Sequence, residues 1–326
     1  MGRDKDIVDS FIAAWKSGKG IYVHTSGSTG TPKRIILSKA HLVRSALRTV
    51  NFFGIDRNSH LHSAVSFDYI GGKMMIARSL LANCRLSWQS PSLHPQAPSS
   101  PVKLMSVVAA QMPSIISRIN EFSHVENFLI GGSAIPPEIW RAIVSSGITA
   151  FESYGMTETA SHIALRQVMG NKPDDVPFVP LPGICVELSE EQCLLISDGL
   201  LKVKTNDLAE ITPEGGFFIL GRKDDMIITG GKKVLPQTIE KILADHLDFG
   251  ERRYIVVSRP HPVWTSEIIL VVESSESAPL LLSKKLKERL SAIPEEVLPG
   301  WQRPKEIIIV KELSTTPSGK IRRIIP

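Results

Sequence analysis

Short apolar runs alternate with helix-like segments through the first two thirds of this sequence. LMSVVAA is followed by MPSIISRI, and NFLIGG is followed by PPEIWRAIVSSG, in which proline opens the helical segment and Gly147 closes it. IYVHT, RIIL and ITAFESYG are further strand-like runs. Because parallel strands need crossover connections, usually helical, the alternation predicts an α/β fold. We expect a mostly parallel sheet with ligand-binding loops at the carboxyl ends of its strands.

The segment SKAHLVRSALRTVNFFG is typical of an amphipathic helix. Ser38 can cap its first turn, since a serine oxygen accepts from the free backbone amides there. The helical spacing predicts one apolar stripe along it, made of Leu42, Val43, Ala46, Leu47 and Val50.

The pattern changes after Pro182. CVELSEEQCLLISDGLLKVKTNDLAEITPEGGFFILGR is typical of β-hairpins with Asp-Gly and Glu-Gly turns, and beyond Gly221 short strands and helices form a compact mixed unit. A chain of 326 residues favours two domains over one core. We predict a large N-terminal α/β domain with a β-rich portion over 1–221 and a small, mobile α+β C-terminal domain over 222–326.

Composition indicates an ordinary globular protein of the cytoplasm. The formal net charge is +5, and the basic residues are spread along the chain rather than clustered, which disfavours a nucleic-acid partner. The three cysteines form no CxxC pair, so neither a disulfide framework nor a zinc site is expected. The sequence has no apolar run of about 18 residues, so we expect no membrane span.

The segment HTSGSTGTPKR concentrates glycines, hydroxyl groups and cations between two strand-like runs. Glycines let the backbone approach a ligand, and successive amides with hydroxyls can surround a polyphosphate. GxxxxGK[ST] is absent, so this is not a Walker loop. The alternative is a polar loop that only joins two strands. The candidate phosphate-binding residues are Thr25, Ser26, Gly27, Ser28, Thr29, Gly30 and Lys33.

TSGSTGTPK closely resembles the signature loop of the adenylate-forming enzymes, which include acyl-CoA synthetases, luciferases and peptide-synthetase adenylation domains. Four further motifs follow in the order found in that family. GGSA resembles the loop lining the adenine pocket, and YGMTE resembles the segment that stacks on adenine and holds magnesium. TND and GRKDD resemble the ribose-binding segments, and PSGK the loop of the catalytic lysine. The corresponding residues are Gly131, Gly132, Ser133, Tyr154, Gly155, Thr157, Glu158, Asp207, Arg222 and Lys320.

The resemblance implies an N-terminally shortened adenylate-forming fold that uses ATP, Mg²⁺ and a small carboxylic acid. The acid's carboxylate attacks the α-phosphorus of ATP, so catalysis is mainly charge neutralisation and positioning. Glu158 would supply the metal carboxylate with Thr157 beside it. Lys320 would stabilise the transition-state charge between the two anionic reactants. Taken alone, each of these residues would be a surface or turn residue.

The resemblance also implies a second half-reaction, in which coenzyme A or a carrier protein supplies the thiol. Asp224 falls at the family's hinge position. Gly230 and Gly231, in TGGKK, fall on the loop that lines the thiol tunnel, where glycine permits close approach. The three cysteines are then interpreted as ordinary buried residues.

This sequence departs from the family in length. Its phosphate loop begins at residue 25, whereas typical members carry well over a hundred residues before it. Either the sequence is a piece of a longer protein or it belongs to a naturally short branch, and Met1 with an amphipathic first segment favours the second. Short chains of this kind resemble the o-succinylbenzoate–CoA ligases of menaquinone biosynthesis. We leave open a homodimer that covers the shortened flank.

A second departure lies in SFDYIGGKMMIARSLL. Aligning Gly71 with the family's glycine places Asp68 where many relatives carry a histidine that gates or orients the acyl group. Arg78 resembles an arginine that succinylbenzoate ligases place near the far carboxylate of the substrate, and a fork-shaped cation suits that group. Lys73 is a second candidate in the same segment. The alternative is that Arg78 and Lys73 lie on the solvent side of a helix.

Four functions therefore remain open at this point. The first is an o-succinylbenzoate–CoA ligase, and the second is another acyl- or aryl-CoA ligase or a carrier-loading adenylating enzyme. The third is a non-catalytic nucleotide-binding relative, which retention of Glu158 and Lys320 disfavours. The fourth is a basic nucleic-acid-binding protein, which would need a concentrated basic stripe with aromatic residues.

Overall fold

A computed structural model describes residues 2–24, 34–250, 252–275, 279–315 and 321–325. The chain divides into two compact units. The first comprises Met1–Glu187, Ile196–Val203 and Ile211–Phe218, and the second comprises Leu188–Leu195, Lys204–Glu210 and Ile219–Pro326. The helices are α1 Gly2–Lys16, α2 Lys39–Phe53, α3 Ile70–Ala82, α4 Met112–Ile116, α5 Pro137–Ser146, α6 Pro236–His246 and α7 Pro279–Ala292.

The strands form five sheets in the described residues. Their bounds are β1 Ile21–His24, β2 Arg34–Leu37, β3 His60–Ser63, β4 Arg85–Trp88, β5 Leu104–Val108, β6 Phe128–Gly131, β7 Ala150–Met156, β8 Ser161–Gln167, β9 Val179–Pro180, β10 Cys185–Leu188, β11 Cys193–Ser197, β12 Lys202–Ile211, β13 Phe217–Arg222, β14 Ile227–Thr229, β15 Lys232–Val234, β16 Tyr254–His261, β17 Thr265–Glu273 and β18 Glu306–Val310.

The largest sheet has seven strands in the order β4-β3-β5-β6-β7-β8-β9. Its first five strands are parallel, and β8 and β9 are antiparallel additions. The predicted α/β class and mostly parallel sheet are therefore confirmed. Both faces of this sheet are covered, which is why the central strands β5 and β6 are almost wholly apolar. On β6, Phe128 and Ile130 belong to the cluster with Trp140 of α5, whereas Leu129 belongs to the cluster with Met75 of α3.

α2 begins and ends much as its sequence predicts. The Ser38 side chain accepts a hydrogen bond from the His41 backbone amide, and Gly54 ends the helix in the left-handed conformation. The predicted apolar stripe is only partly correct, because Leu47 is 45% exposed whereas Ser45 and Thr49 are buried. The buried face of this helix therefore carries two hydroxyl groups that the apolar pattern did not indicate.

The second unit has its own core. β16, β17 and β18 form a three-stranded sheet that packs with α6 and α7 through a cluster that includes Leu243, Leu270 and Leu286.

β10 to β13 form a four-stranded sheet in sequence order, as expected of successive hairpins.

The cysteines carry no disulfide, but they are not all buried. Cys193 is buried and Cys84 is partly buried, whereas Cys185 is exposed. The interpretation of all three as buried residues is therefore wrong for Cys185, because alternate side chains of its strand face outward. None of the helices in the described part of the chain is long and apolar enough to cross a membrane.

Candidate active site

The segment Tyr154–Glu158 runs from the end of β7 into the turn before β8. The pairing register of these strands shifts between Tyr154 and Gly155, which produces a β-bulge. A Cβ atom at Gly155 would lie 2.3 Å from the Ser161 carbonyl oxygen and 2.5 Å from the His162 Cα. Only glycine fits at this position, because backbone atoms rather than a movable side chain occupy the space.

The turn that follows is strained. Ala160 and Ser161 have φ angles of 54° and 86°, which non-glycine residues rarely adopt. The Thr159 hydroxyl donates to the Ser161 carbonyl at 2.7 Å, and the Ser45 hydroxyl of α2 donates to the Ala160 carbonyl at 2.6 Å. Such conformations cost about 1–3 kcal/mol each, persist only where surrounding contacts impose them, and cluster at functional sites.

The predicted adenine loop lies beside this turn. β6 and β7 are parallel neighbours, so Gly131, at the end of β6, and Tyr154 lie toward the same edge of the sheet. Gly132 has a φ of 94°, and both it and Ser133 are exposed. The structure thus brings the GGSA and YGMTE segments together, as loops at the carboxyl ends of adjacent parallel strands.

A buried ion pair between Glu152 and Arg166 adjoins the GGSA loop. The Ile135 amide donates to Glu152 Oε1 at 3.0 Å, and Arg166 pairs with Glu152 Oε2 at 2.6 Å. The Arg166 guanidinium also lies over the Phe178 ring, 4.3 Å from its centroid, and Phe178 contacts Tyr154 with ring centroids 5.7 Å apart. These contacts connect the residues next to the GGSA segment with Tyr154 of the YGMTE segment.

Glu158 and Thr157 are the predicted magnesium ligands. Glu158 is half-buried, and within the described residues no hydrogen bond or ion pair engages its carboxylate. Thr157 is buried, and its carbonyl accepts from the Ala160 amide at 3.0 Å. A half-buried carboxylate that no described residue engages fits the oxygen chemistry that Mg²⁺ prefers.

The second unit holds the predicted ribose-binding residues. Arg222 donates to Asp207 at 3.1 Å and to Asp224 at 3.0 Å, and its Nε is buried without a partner in the described residues. Burial lowers the pKa of Arg222, but the carboxylates of Asp207, Asp224 and Asp225 outweigh it, so the pKa lies above its usual value. The structure therefore brings Asp207, Arg222 and the predicted hinge residue Asp224 into one hydrogen-bonded group.

Asp224 and its neighbour Asp225 bind different parts of this unit. Asp224 also accepts from Asn206 at 3.0 Å, whereas Asp225 lies 3.3 Å from the Arg323 Nε near the C-terminus. The predicted hinge residue Asp224 thus contacts the predicted ribose-binding Arg222, and its neighbour Asp225 contacts Arg323.

Gly230 and Gly231 form the two-residue turn between β14 and β15. Their φ angles are 55° and 74°, the positive signs that a type I′ hairpin turn requires. The Gly230 amide donates to the Trp264 carbonyl at 2.9 Å, and a Cβ at Gly230 would contact the Trp264 ring at 3.4 Å. Gly231 has open space around it, so its conformation rather than crowding requires glycine.

Arg78 is buried in the first unit, with only 1% of its surface exposed. Its Nη1 lies 3.4 Å from Met75 Sδ, and its Nη2 lies 3.4 Å from both Ser161 Oγ and His162 Nδ1. Its Nε has no partner, and no carboxylate of the described chain pairs with it. Burial lowers the pKa of Arg78 to about 9. The alternative of a solvent-facing Arg78 is therefore wrong, because its helix packs between α2 and the sheet.

Asp68 and Lys73 lie at the start of the same helix but make other contacts. Asp68 is exposed and pairs with Arg3 at 2.9 Å. The Lys73 ammonium donates to the carbonyls of Phe67 and Asp68, at 2.6 and 2.8 Å. Burial lowers the pKa of Lys73, although Asp68 opposes that shift. Lys73 is half-buried rather than solvated, and it makes no contact with Arg78 in the described residues.

The predicted phosphate loop, Thr25–Lys33, and the predicted catalytic Lys320 lie outside the described residues. β1 and β2, which flank the loop in sequence, are antiparallel partners that end with the pair His24 and Arg34.

Sequence reasoning did not identify His162, Thr49 or Ser45. His162 is 3% exposed, and its Nε2 lies 3.0 Å from the Thr49 hydroxyl. One signal was available, since Ser45 and Thr49 are hydroxyl residues four positions apart, so that they share one face of the helix.

Two family models match this chain. The model described as AMP-binding enzyme matches residues 21–193, more than half of the chain, and the model described as AMP-binding enzyme C-terminal domain matches residues 238–320. A 2-succinylbenzoate–CoA ligase of Listeria monocytogenes is 25% identical over 340 residues, covering 96% of this chain and 71% of that protein. A ligase of the same name from Bacillus anthracis is 25% identical and covers 92% of this chain and 68% of its own length.

Two solved structures have similar folds. One is an acyl-CoA synthetase (AMP-forming)/AMP-acid ligase II-like protein from Dyadobacter fermentans, with a TM-score of 0.61 and 28% identity over 97% of this chain and 91% of its own. The other is an o-succinylbenzoate CoA synthetase of Bacillus subtilis in complex with its acyl-adenylate intermediate. Its TM-score is 0.72 at 20% identity, over 93% of this chain and 67% of its own. The loops that converge at the parallel strand ends, together with these matches, show that the chain belongs to the AMP-binding enzyme family.

Proposed function

We propose that this chain is an AMP-forming 2-succinylbenzoate–CoA ligase. The proposal rests on the family membership and on relatives of that name, which align with almost the whole chain. The enzyme first joins the acid to the AMP part of ATP and then transfers the acyl group to coenzyme A. We place it in the cytoplasm, where both co-substrates are available.

In the first half-reaction a carboxylate oxygen forms a bond to the α-phosphorus, and the bond to pyrophosphate breaks. Thr25–Lys33 would hold the phosphates, Gly131–Ser133 and Tyr154 the adenine, and Asp207 with Arg222 the ribose hydroxyls. Glu158 and Thr157 would hold Mg²⁺, which supplies positive charge to the phosphate oxygens. Lys320 would bring a further cation to the reacting anions.

In the second half-reaction the thiol sulfur of coenzyme A bonds to the acyl carbon, AMP leaves with the bonding electron pair, and the thiol proton passes to solvent. The protein supplies no nucleophile of its own. The Gly230–Gly231 turn offers a backbone without side chains for the thiol arm to pass, and Asp224 is the proposed hinge between the two reactions.

The observation that supports the substrate is Arg78, which is buried and has no carboxylate partner among the described residues. A buried cation without a counter-ion is costly, and its fork geometry suits a carboxylate. 2-Succinylbenzoate has two carboxylates, of which only one can be activated in a turnover. We infer that Arg78 binds the other one.

The test is pyrophosphate release with ATP and Mg²⁺, with and without coenzyme A, on a panel of acids. The panel pairs 2-succinylbenzoate with 4-oxo-4-phenylbutanoate and 2-butanoylbenzoate, each of which lacks one carboxylate, and adds benzoate, a medium-chain fatty acid and several amino acids. We expect turnover of the diacid to exceed that of either matched monoacid by at least about tenfold, the loss expected for one unpaired charged contact.

The Arg78→Ala variant identifies the carboxylate-binding residue. We expect the KM of the diacid to rise about tenfold or more, the KM of ATP to stay unchanged, and the preference over the monoacids to disappear. Turnover of another acid by the wild-type chain, with none of 2-succinylbenzoate, would overturn the substrate. An unchanged diacid KM in Arg78→Ala would overturn the role of Arg78.

A further inference from the structure

The His162 ring lies 3.4 Å from the Arg78 guanidinium, and the proposed mechanism does not use it. The side chain is fully enclosed between α2, α3 and β8, where it contacts Arg78 on one side and Thr49 on the other. Met75 and the Ser161 hydroxyl are the other groups that face the guanidinium. His162 is therefore the ring that separates this buried cation from α2.

The contacts fix which ring nitrogen of His162 carries the proton. Arginine can only donate, so the His162 Nδ1 that lies 3.4 Å from Arg78 Nη2 must present its lone pair. The proton then sits on Nε2 and is donated to the Thr49 oxygen at 3.0 Å. The Thr49 hydroxyl proton is left to reach the Ser45 carbonyl, one helical turn earlier, at 3.5 Å. In this series of hydrogen bonds each group donates to the next, from Arg78 through His162 and Thr49 to the Ser45 carbonyl.

One face of α2 therefore contacts both the turn at Ala160 and the His162 ring beside Arg78. Ser45 holds the carbonyl of the strained Ala160, directly after the predicted nucleotide-binding turn, and Thr49 holds His162. Burial and the nearby Arg78 both lower the pKa of His162, so the ring stays neutral and does not repel the guanidinium.

We propose that Thr49 and His162 are positioning residues for acid selection: Thr49 fixes the Nε2–H form of His162, and His162 Nδ1 orients Arg78 toward the second carboxylate of the substrate. The inference rests on the proposed function for the identity of that carboxylate. It adds two residues to the proposed acid site, and neither of them would contact the acid or ATP.

The test compares Thr49→Val with its matched control, Thr49→Ser. Valine keeps the shape but leaves the Nε2–H without an acceptor, so His162 loses the hydrogen bond that holds its Nδ1 lone pair toward Arg78. We expect Thr49→Val to lower kcat/KM for the diacid relative to its better monoacid on the order of tenfold, with the KM of ATP unchanged. Thr49→Ser should retain the wild-type ratio. His162→Phe, which keeps a ring but removes the acceptor, should act like Thr49→Val.

A loss that is equal for the diacid, the monoacid and ATP would mean a merely structural role, and so would a loss in Thr49→Ser that matches that in Thr49→Val. A readout without substrate separates this inference from the proposed function. Nitrogen-15 spectra of the ligand-free protein, with His162→Phe used to assign the ring, should show protonated Nε2 and unprotonated Nδ1. A protonated Nδ1 would overturn the inference even if the diacid is the substrate. The expected tautomer without diacid turnover would instead overturn the proposed substrate.

Discussion

Arg78 and Arg222 each have a buried Nε without a partner in the described residues, but their surroundings differ. Arg222 lies among carboxylates that raise its pKa, whereas burial without a carboxylate lowers the pKa of Arg78 to about 9. Arg222 is thus held by the protein before any ligand arrives. Arg78 lacks such compensation, which is why an anionic ligand should gain most at that position.

The ribose group yields a prediction about nucleotide binding. Asp207→Asn removes one of the two carboxylate charges that bind Arg222 and weakens the proposed contact to the ribose hydroxyls. We expect the KM of ATP to rise about tenfold, the magnitude expected for one charge-assisted hydrogen bond, and the KM of the acid to stay unchanged. Initial rates of pyrophosphate release measure both constants.

Glu210→Gln is the matched control, because Glu210 lies on the same strand with its side chain exposed. It should leave both constants unchanged. An unchanged KM of ATP in Asp207→Asn would remove Asp207 from the nucleotide site.

Individual motifs were predictable because they are local in sequence. The crowding of small and hydroxyl residues in TSGSTGTPK, together with the YGMTE segment, predicted a nucleotide site from short stretches of sequence. The contacts of His162 were not predictable, because they depend on α2, α3 and β8 meeting in space. A lone histidine in an apolar strand has no local pattern that distinguishes it from a core residue.

Among the secondary-structure elements, α2 shows which features the sequence pattern predicted and which it did not. Its limits and its serine cap followed from local chemistry, and they are confirmed. Its buried face did not, since the strained turn at Ala160 and Ser161 draws hydroxyl groups inward to satisfy a carbonyl and an imidazole. The buried face of this helix therefore combines apolar residues of the predicted stripe, Leu42 and Ala46, with two hydroxyl residues that make tertiary hydrogen bonds.

α3 offers a prediction about packing, because it begins with two adjacent glycines in different surroundings. A Cβ at Gly72 would lie 2.3 Å from the Ser66 carbonyl oxygen, whereas a Cβ at Gly71 would meet nothing within 4 Å. Gly72→Ala should lower the free energy of unfolding by about 1–3 kcal/mol, because backbone atoms must move. Urea unfolding monitored by circular dichroism measures the change.

Gly71→Ala provides the internal comparison for that variant. It should be neutral or raise the free energy of unfolding by up to about 1 kcal/mol, because alanine has the higher helix propensity. Equal effects of the two substitutions would contradict the close contact at Gly72.

For the molecule as a whole, buried neutral histidines predict a loss of stability in mild acid. His60 Nε2 and His62 Nδ1 both contact the Ser87 hydroxyl, at 2.6 and 2.7 Å, and join neighbouring strands of the large sheet. Burial, and then the nearby His60, lowers the pKa of His62 to about 4, and burial also lowers that of His60.

The sign of the effect follows from proton uptake. The unfolded chain protonates histidine near about pH 6.5, whereas folded His62 stays neutral down to about pH 4. Its stabilisation is therefore complete above pH 6.5 and is lost as the pH falls through that window, by at most about 1.4 kcal/mol per pH unit. Urea unfolding at pH 7, 6 and 5 should show this decline, and His62→Gln should reduce its slope. Identical slopes in both proteins would refute the assignment.

The large sheet ends in two short strands. β9 has two residues, of which Pro180 has no amide hydrogen, and β4 has four residues and begins with the exposed Arg85. An incoming strand from a second molecule would find a missing donor at one edge and a hydrated charge at the other. Crowded, partly folded copies of this chain would therefore have little opportunity to polymerise edge to edge, and the sheet carries its own protection against amyloid-like growth.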